Sequence, residues 1–205
     1  MREGDLHQEL EERIASELRQ RRRMVEALEA EPALRGRMSE VVQVLCAALR
    51  GGGKLLLAGN GGSSAEAQHM AAEYVGRFLA DRPGLPAIAL TTDSSILTAL
   101  GNDYGFETVF SRQVETLGKP GDVLMVYSTS GRSPNILKAV GRAKALGMTV
   151  IGFTGEGGQT LAEACDLCLV APTQHTPHIQ ELHLMMGHMI CGLVEACLFA
   201  GAEEG

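Results

Sequence analysis

No broad basic field exists in these 205 residues: Lys and Arg number 18 against 25 Asp and Glu, for a net charge of -7. That balance makes nucleic acid a poor default partner. Arg19, Arg21, Arg22 and Arg23 do cluster, but Glu9, Glu11, Glu12, Glu17, Glu26, Glu29 and Glu31 surround them, as on a solvated helix face. The opening MREGDLHQELEERIASELRQ lacks an apolar signal core, so secretion by that route is not expected. No apolar stretch approaches the roughly 20 residues that a membrane span needs, and no membrane partner is expected. The five cysteines, Cys46, Cys165, Cys168, Cys191 and Cys197, are an odd count that fits free thiols in a reducing cytoplasm. Cys165 and Cys168 have Cys-x-x-Cys spacing, but no second pair exists and the segment overlaps an expected strand, so a redox or zinc role is not expected there. Repeats, low-complexity tracts and linkers are also missing. One domain spanning 1–205 is the economical reading, and a chain of this length buries a substantial core.

What is present is alternation. Residues 5–30 carry Leu6, Leu10, Ile14, Leu18, Val25 and Leu28 at helical spacing, Pro32 breaks the pattern, and a second helix is expected over 33–50 before Gly51-Gly52-Gly53 stops it. Residues 1–50 thus predict a helical hairpin. Over 51–205, short apolar runs follow at Lys54–Ala58, Pro86–Leu90, Val123–Tyr127, Thr149–Phe153 and Leu167–Val170, as in strands buried on both faces. Helical patterns separate them at about 63–78, 94–117, 133–146 and 158–164, and a last one covers about 177–200. This alternation predicts an α/β fold, a doubly wound parallel-sheet sandwich. Ligands in such sheets bind outside the carboxyl ends of the strands.

Two loops stand at such ends. Ala58-Gly59-Asn60-Gly61-Gly62-Ser63-Ser64 follows the first strand. It is a poor dinucleotide fingerprint, since Ser64 takes the third glycine position, and no Gly-Lys-Ser/Thr makes it a P-loop. It fits a tight turn as well as a ligand site. Ser128-Thr129-Ser130-Gly131-Arg132-Ser133-Pro134 follows the third strand and leads into a helix. One hydroxyl would suffice to cap that helix; four suit an uncharged phosphate cradle at a helix N-terminus. No G-x-S-x-G elbow supports a serine hydrolase.

His69 and Glu73 are four residues apart on one expected helix face, able to share a metal or a substrate, although a surface His–Glu pair has the same spacing. Gln180 and His188 lie eight apart, about 80° of rotation and ~12 Å of rise. They reach one metal only at full stretch, unless the helix is irregular at Gln180 or different subunits contribute. A lone core histidine would equally explain His188. His7 reads as solvated; His183, three residues from Gln180, fits a place behind the site, but reads first as structural or exposed.

The pair GNGGSSAEAQH and STSGRSPNILKA is similar to the signature of the sugar isomerase (SIS) domain family. AEAQHMAAEYVGRF, LTALGNDYGF and HIQELHLMMGH resemble the phosphoheptose isomerases within it, over about Lys54 to Phe199 and more weakly in the N-terminal helices. The resemblance implies an SIS-type sandwich that converts sedoheptulose 7-phosphate to an aldose through an enediol, for bacterial surface glycans such as lipopolysaccharide. It implies that Ser128, Thr129, Ser130 and Ser133 hold phosphate, that Asn60, Gly61, Gly62, Glu73, Asn102, Asp103 and Gln180 contact the sugar, and that Glu73 and His188 are the acid–base pair. It further implies one zinc per subunit on His69, Glu73, Gln180 and His188, and a homotetramer with sites between subunits. Some similar SIS proteins bind the replication initiator without catalysis and lack parts of this set, and other relatives isomerise different phosphosugars. Glu73 and His188 are both present here, which favours an enzyme.

Overall fold

Five short strands lie side by side, all parallel, in the order β2-β1-β3-β4-β5: β1 Leu55–Gly59, β2 Ala87–Ala89, β3 Val123–Tyr127, β4 Thr149–Gly155 and β5 Leu167–Ala171. The computed structural model describes residues 3–199. Every expected strand is present, within two residues at its ends. Alternate side chains leave each strand in opposite directions, so both faces need cover. Leu55, Leu57, Met125 and Tyr127 face a core built with helices α2 (Pro32–Arg50), α3 (Gly62–Val75) and α8 (Thr176–Phe199). Leu56, Ala58, Leu124 and Val126 face a second core under α5 (Ser111–Leu117), α6 (Pro134–Ala145) and α7 (Gln159–Ala164). The chain reverses its winding between β1 and β3, and that switch point is where open α/β sheets bind ligands. Gly59 and Tyr127, the last residues of those two strands, are paired in register.

The expected helix over 94–117 is interrupted. It divides into α4 (Ser94–Tyr104), a 3-10 turn at Phe106–Thr108 and α5. Gly105 sits between them at φ +85°, a conformation that ends a right-handed helix. Helical spacing continued through this point, and the glycine was the overlooked stop. None of the residues of α4 is buried.

The first helix, α1 (Glu3–Ala30), and α2 are separated by Glu31 alone, whose carboxylate accepts from the Ala33 N–H ahead of Pro32. Of α1, Met24 and Leu28 near the turn join Leu34 and Met38 of α2 in the core, while α2 continues into it with Val41, Leu45 and Cys46. Leu6, Leu10, Ile14 and Leu18 of the expected stripe are exposed.

One expectation needs correction. The 24 residues of α8 are long and apolar enough to cross a membrane, with a mean hydropathy of 1.6 over their best window. Scattered His and Glu residues masked that length in the sequence. Here α8 serves as a core helix, burying Ile179, Leu182, Met186, Ile190, Cys191 and Val194 in the face shared with α2 and α3.

The C-terminal half of α8 also carries a buried ion pair. Glu195 meets Arg82 at 2.7 Å, with side chains only 4% and 1% exposed. Burial pushes such a carboxyl up, but the N–H groups of Ala80, Leu79 and Phe78, together with Arg82, outweigh it and hold Glu195 at about 2. Its folded value lies below its unfolded one, so the unfolded chain binds the extra proton. The stabilisation is therefore full above the ordinary carboxyl range and is lost as pH falls through it towards 2. Acid unfolding followed by circular dichroism should fall less steeply with pH in Glu195→Gln than in the parent, although the variant is the less stable at neutral pH. Identical slopes would remove this pair from the acid response.

Candidate active site

Both loops at the switch point are built as the strand order requires, and a pair of asparagines ties them together. Asn60, just past β1, and Asn135, in the first turn of α6, exchange two amide hydrogen bonds of 2.9 Å. Asn135 is buried and was not singled out in the sequence. A polar residue inside a first helical turn was the available signal.

In the hydroxyl loop, Gly131 turns the chain at φ +63°, and a Cβ there would come within 2.5 Å of the Gly158 backbone. The Ser128 carbonyl accepts from Thr154 Oγ1 at 2.8 Å and from the Gly131 N–H at 3.1 Å, which fixes the loop from below. Ser133 occupies the N-cap of α6, yet its side chain makes no capping hydrogen bond. Its Oγ instead lies 3.2 Å from Ser128 Oγ. Simple capping therefore does not account for these hydroxyls. Thr129 is half-buried and Ser130 is exposed, with the latter accepting from the Arg132 N–H at 3.3 Å. Hydroxyls beside open N–H groups at a helix start suit an anion with several oxygens.

The ionisable groups meet where α3 and α8 run side by side. Gly62 faces Gln180, Met70 faces Gly187 and Phe78 faces Gly192, so the two helices advance in the same direction. Glu66 and His183 face each other within this seam at 3.7 Å, both buried, so His183 is not exposed. Further along, His69 Nε2 lies 2.8 Å from His188 Nε2 and 3.2 Å from Glu73 Oε1. One ligand atom from each of His69, Glu73 and His188 falls within 4.8 Å of the others. The expected trio is therefore assembled by residues up to 119 positions apart in the chain. His188 is not a lone core histidine: Phe78 stacks on its ring at 5.4 Å and 24°.

Gln180 is placed differently. A Cβ on Gly62 would lie 2.2 Å from Gln180 Nε2, so this amide packs over the glycine loop. The helix is regular from Thr176, which leaves the full ~12 Å of rise between Gln180 and His188. Gly61 and Gly62 are exposed at the same loop. Asn102 and Asp103 end the unburied α4 and bond to each other at 2.8 Å. Among the described residues, neither side chain hydrogen-bonds any expected site residue outside this pair. The Cys165 and Cys168 thiols are pushed up to about 12, chiefly by burial, which keeps them protonated and chemically quiet.

A five-stranded parallel sheet with a hydroxyl loop and an ionisable trio at one edge defines a ligand-binding α/β domain. Residues 18–155 match the SIS domain family, and the chain belongs to that family. Within it, the chain belongs with the phosphoheptose isomerases. Phosphoheptose isomerase from Burkholderia pseudomallei (strain 1710b) is 56% identical over 186 residues, 91% of this chain and 94% of that protein. The solved phosphoheptose isomerase of Neisseria gonorrhoeae superposes with a TM-score of 0.85 at 41% identity, covering 91% of this chain and 99% of that one. The enzyme from Francisella tularensis gives 0.83 at 37%, covering 89% and 96%.

Replacing Asn135 by Ala removes both bonds to Asn60 and leaves that amide unpaired in a half-buried site. The expected loss is about 1–3 kcal/mol, or a few degrees in a thermal melt for a chain of this size. An unchanged melting temperature would mean that other contacts hold the two loops together.

Proposed function

We propose that the chain, folded as one SIS domain, isomerises sedoheptulose 7-phosphate to D-glycero-D-manno-heptose 7-phosphate. The observation that carries this reading is the close grouping of His69, Glu73 and His188 beside a hydroxyl-lined helix start. In the reaction C1 loses a proton and C2 gains one, while a hydroxyl proton leaves O1 and another arrives on O2. The net change is redox-neutral, and an enediol lies between the two sugars.

The residues divide that work. Ser128, Thr129, Ser130 and Ser133, with the N–H groups of α6, receive the phosphate and anchor the far end of the sugar. Asn60, Gly61, Gly62 and Gln180 line the chain of hydroxyls, with Asn60 fixed by Asn135. Asn102 and Asp103 add contacts from α4. Glu73 and His188 share the proton transfers between carbon and oxygen, as a carboxylate and an imidazole at hydrogen-bonding reach of a substrate do.

Two imidazole nitrogens and a carboxylate oxygen are a donor set that fits zinc and leaves a coordination position open. His69, Glu73 and His188 would hold the ion, and Gln180, whose amide packs over Gly62, would be at most a weak donor beside them. When bound, zinc supplies a Lewis acid for the carbonyl oxygen.

The same reading makes the protein a cytoplasmic homotetramer with sites between subunits, feeding heptose to surface glycans such as lipopolysaccharide. Free cysteines are in keeping with that compartment. The exposed Leu6, Leu10, Ile14 and Leu18, and an apolar cleft between α1, α2 and α8 lined by Val25, Met38, Met185 and Met189, support association between copies. The exposed α4 is in keeping with a neighbour completing the site.

The test is to incubate the protein with sedoheptulose 7-phosphate and follow the aldose by NMR. Turnover should fall by about 10²–10⁴ in Glu73→Gln and in His188→Ala, with folding intact. No conversion by the parent, with or without zinc, would overturn the function; a fully active Glu73→Gln would overturn the site.

A further inference from the structure

We infer that the buried Arg82–Glu195 pair, with Phe78, positions Glu73 and His188. This rests on the reading of those two residues as the acid–base pair. Glu195 uses both oxygens. Oε1 accepts from the N–H groups of Leu79 and Ala80 at 2.8 and 2.7 Å, and Oε2 accepts from Phe78 N–H at 3.1 Å and Arg82 Nε at 2.7 Å. One carboxylate on α8 thus gathers the segment that leaves α3.

Arg82 turns the other way, onto α3. Its Nη2 donates to the Glu73 carbonyl at 2.8 Å and its Nη1 to the Tyr74 carbonyl at 2.9 Å. α3 ends at Val75, so these carbonyls belong to a last turn without intrahelical partners. Arg82 satisfies the Glu73 carbonyl, shares the Tyr74 carbonyl with the Leu85 N–H at 2.9 Å, and holds the backbone that carries the Glu73 side chain.

Phe78 completes the link. Its N–H is bound to Glu195, and its ring lies stacked on His188 at 24°. On the other side, a Cβ at Gly192 would come within 3.3 Å of Phe78 Cε1, so the ring fills a narrow slot along α8. A ring held in this slot limits rotation of the imidazole and keeps its Nε2 facing His69. The guanidinium, carboxylate and phenyl ring therefore set the backbone of one member of the pair and the ring orientation of the other. None of them needs to touch substrate: they are positioning residues.

The experiment compares Phe78→Leu, Phe78→Tyr and Glu195→Gln, reading kcat, KM and zinc affinity by chelator competition. Phe78→Leu keeps an apolar side chain but loses the flat face. It should lower kcat about 10-fold or more with KM within about twofold, and weaken zinc in the same range. Phe78→Tyr keeps the ring and should restore most of both. Glu195→Gln should follow Phe78→Leu; if it does not fold, the two Phe78 variants decide. Wild-type kcat and zinc affinity in Phe78→Leu, or an equal loss in Phe78→Tyr, would overturn the inference. If the parent fails to turn over the heptulose phosphate, the function falls, and zinc affinity across the variants still decides the positioning.

Discussion

The side-by-side contact of α3 and α8 is the constraint on which the rest depends. Each helix alone presents an ordinary amphipathic face with a few polar residues. Only when they run in the same direction, in this register, do His69 and Glu73 meet His188. The small residues Gly62, Gly187 and Gly192 let Gln180, Met70 and Phe78 fill the seam without clash. Sliding one helix by a turn, about 5.4 Å, would separate the trio entirely. The sheet sets where the seam lies: α3 leaves β1 at the switch point, next to the loop that leaves β3.

Around that seam the protein uses two kinds of polar contact. The Asn60–Asn135 pair and the Thr154–Ser128 bond tie down the loops at the sheet edge. The Glu195 cluster sits at the other end of the seam and is fully bonded, so a charge can remain buried at little cost. Glu66 and His183 differ: they oppose each other deep in the seam, and neither side chain has a hydrogen-bond partner among the described residues. The chain thus places firm attachments at both ends of the ionisable trio.

Much of this was legible in the sequence because it is local. Strand runs at Leu55–Gly59 or Val123–Tyr127 are almost purely apolar, and the loops after them carry their glycine and hydroxyl chemistry in consecutive residues. His69 and Glu73 declare their shared face by spacing. The long-range pairings were not legible. Nothing near Phe78 announces that it stacks on a histidine 110 positions away in the chain. Arg82 and Glu195 are 113 positions apart, and nothing local to either announces that the fold pairs and buries them. Gly105 falls inside the expected helix over 94–117, and only its positive φ shows the break. The distance of Gln180 from His188 along the helix is legible in the sequence, but the packing of its amide over Gly62 is not.

The central claim is that this seam is an acid–base centre acting on carbon-bound protons of a phosphosugar. Solvent deuterium exchange tests it most directly. Sedoheptulose 7-phosphate is incubated with the protein in deuterated water, and label entering at C1 and C2 is followed by NMR. The account predicts exchange by the parent protein and its reduction by about 10² or more in Glu73→Gln. Exchange at the parental rate in that variant would contradict it.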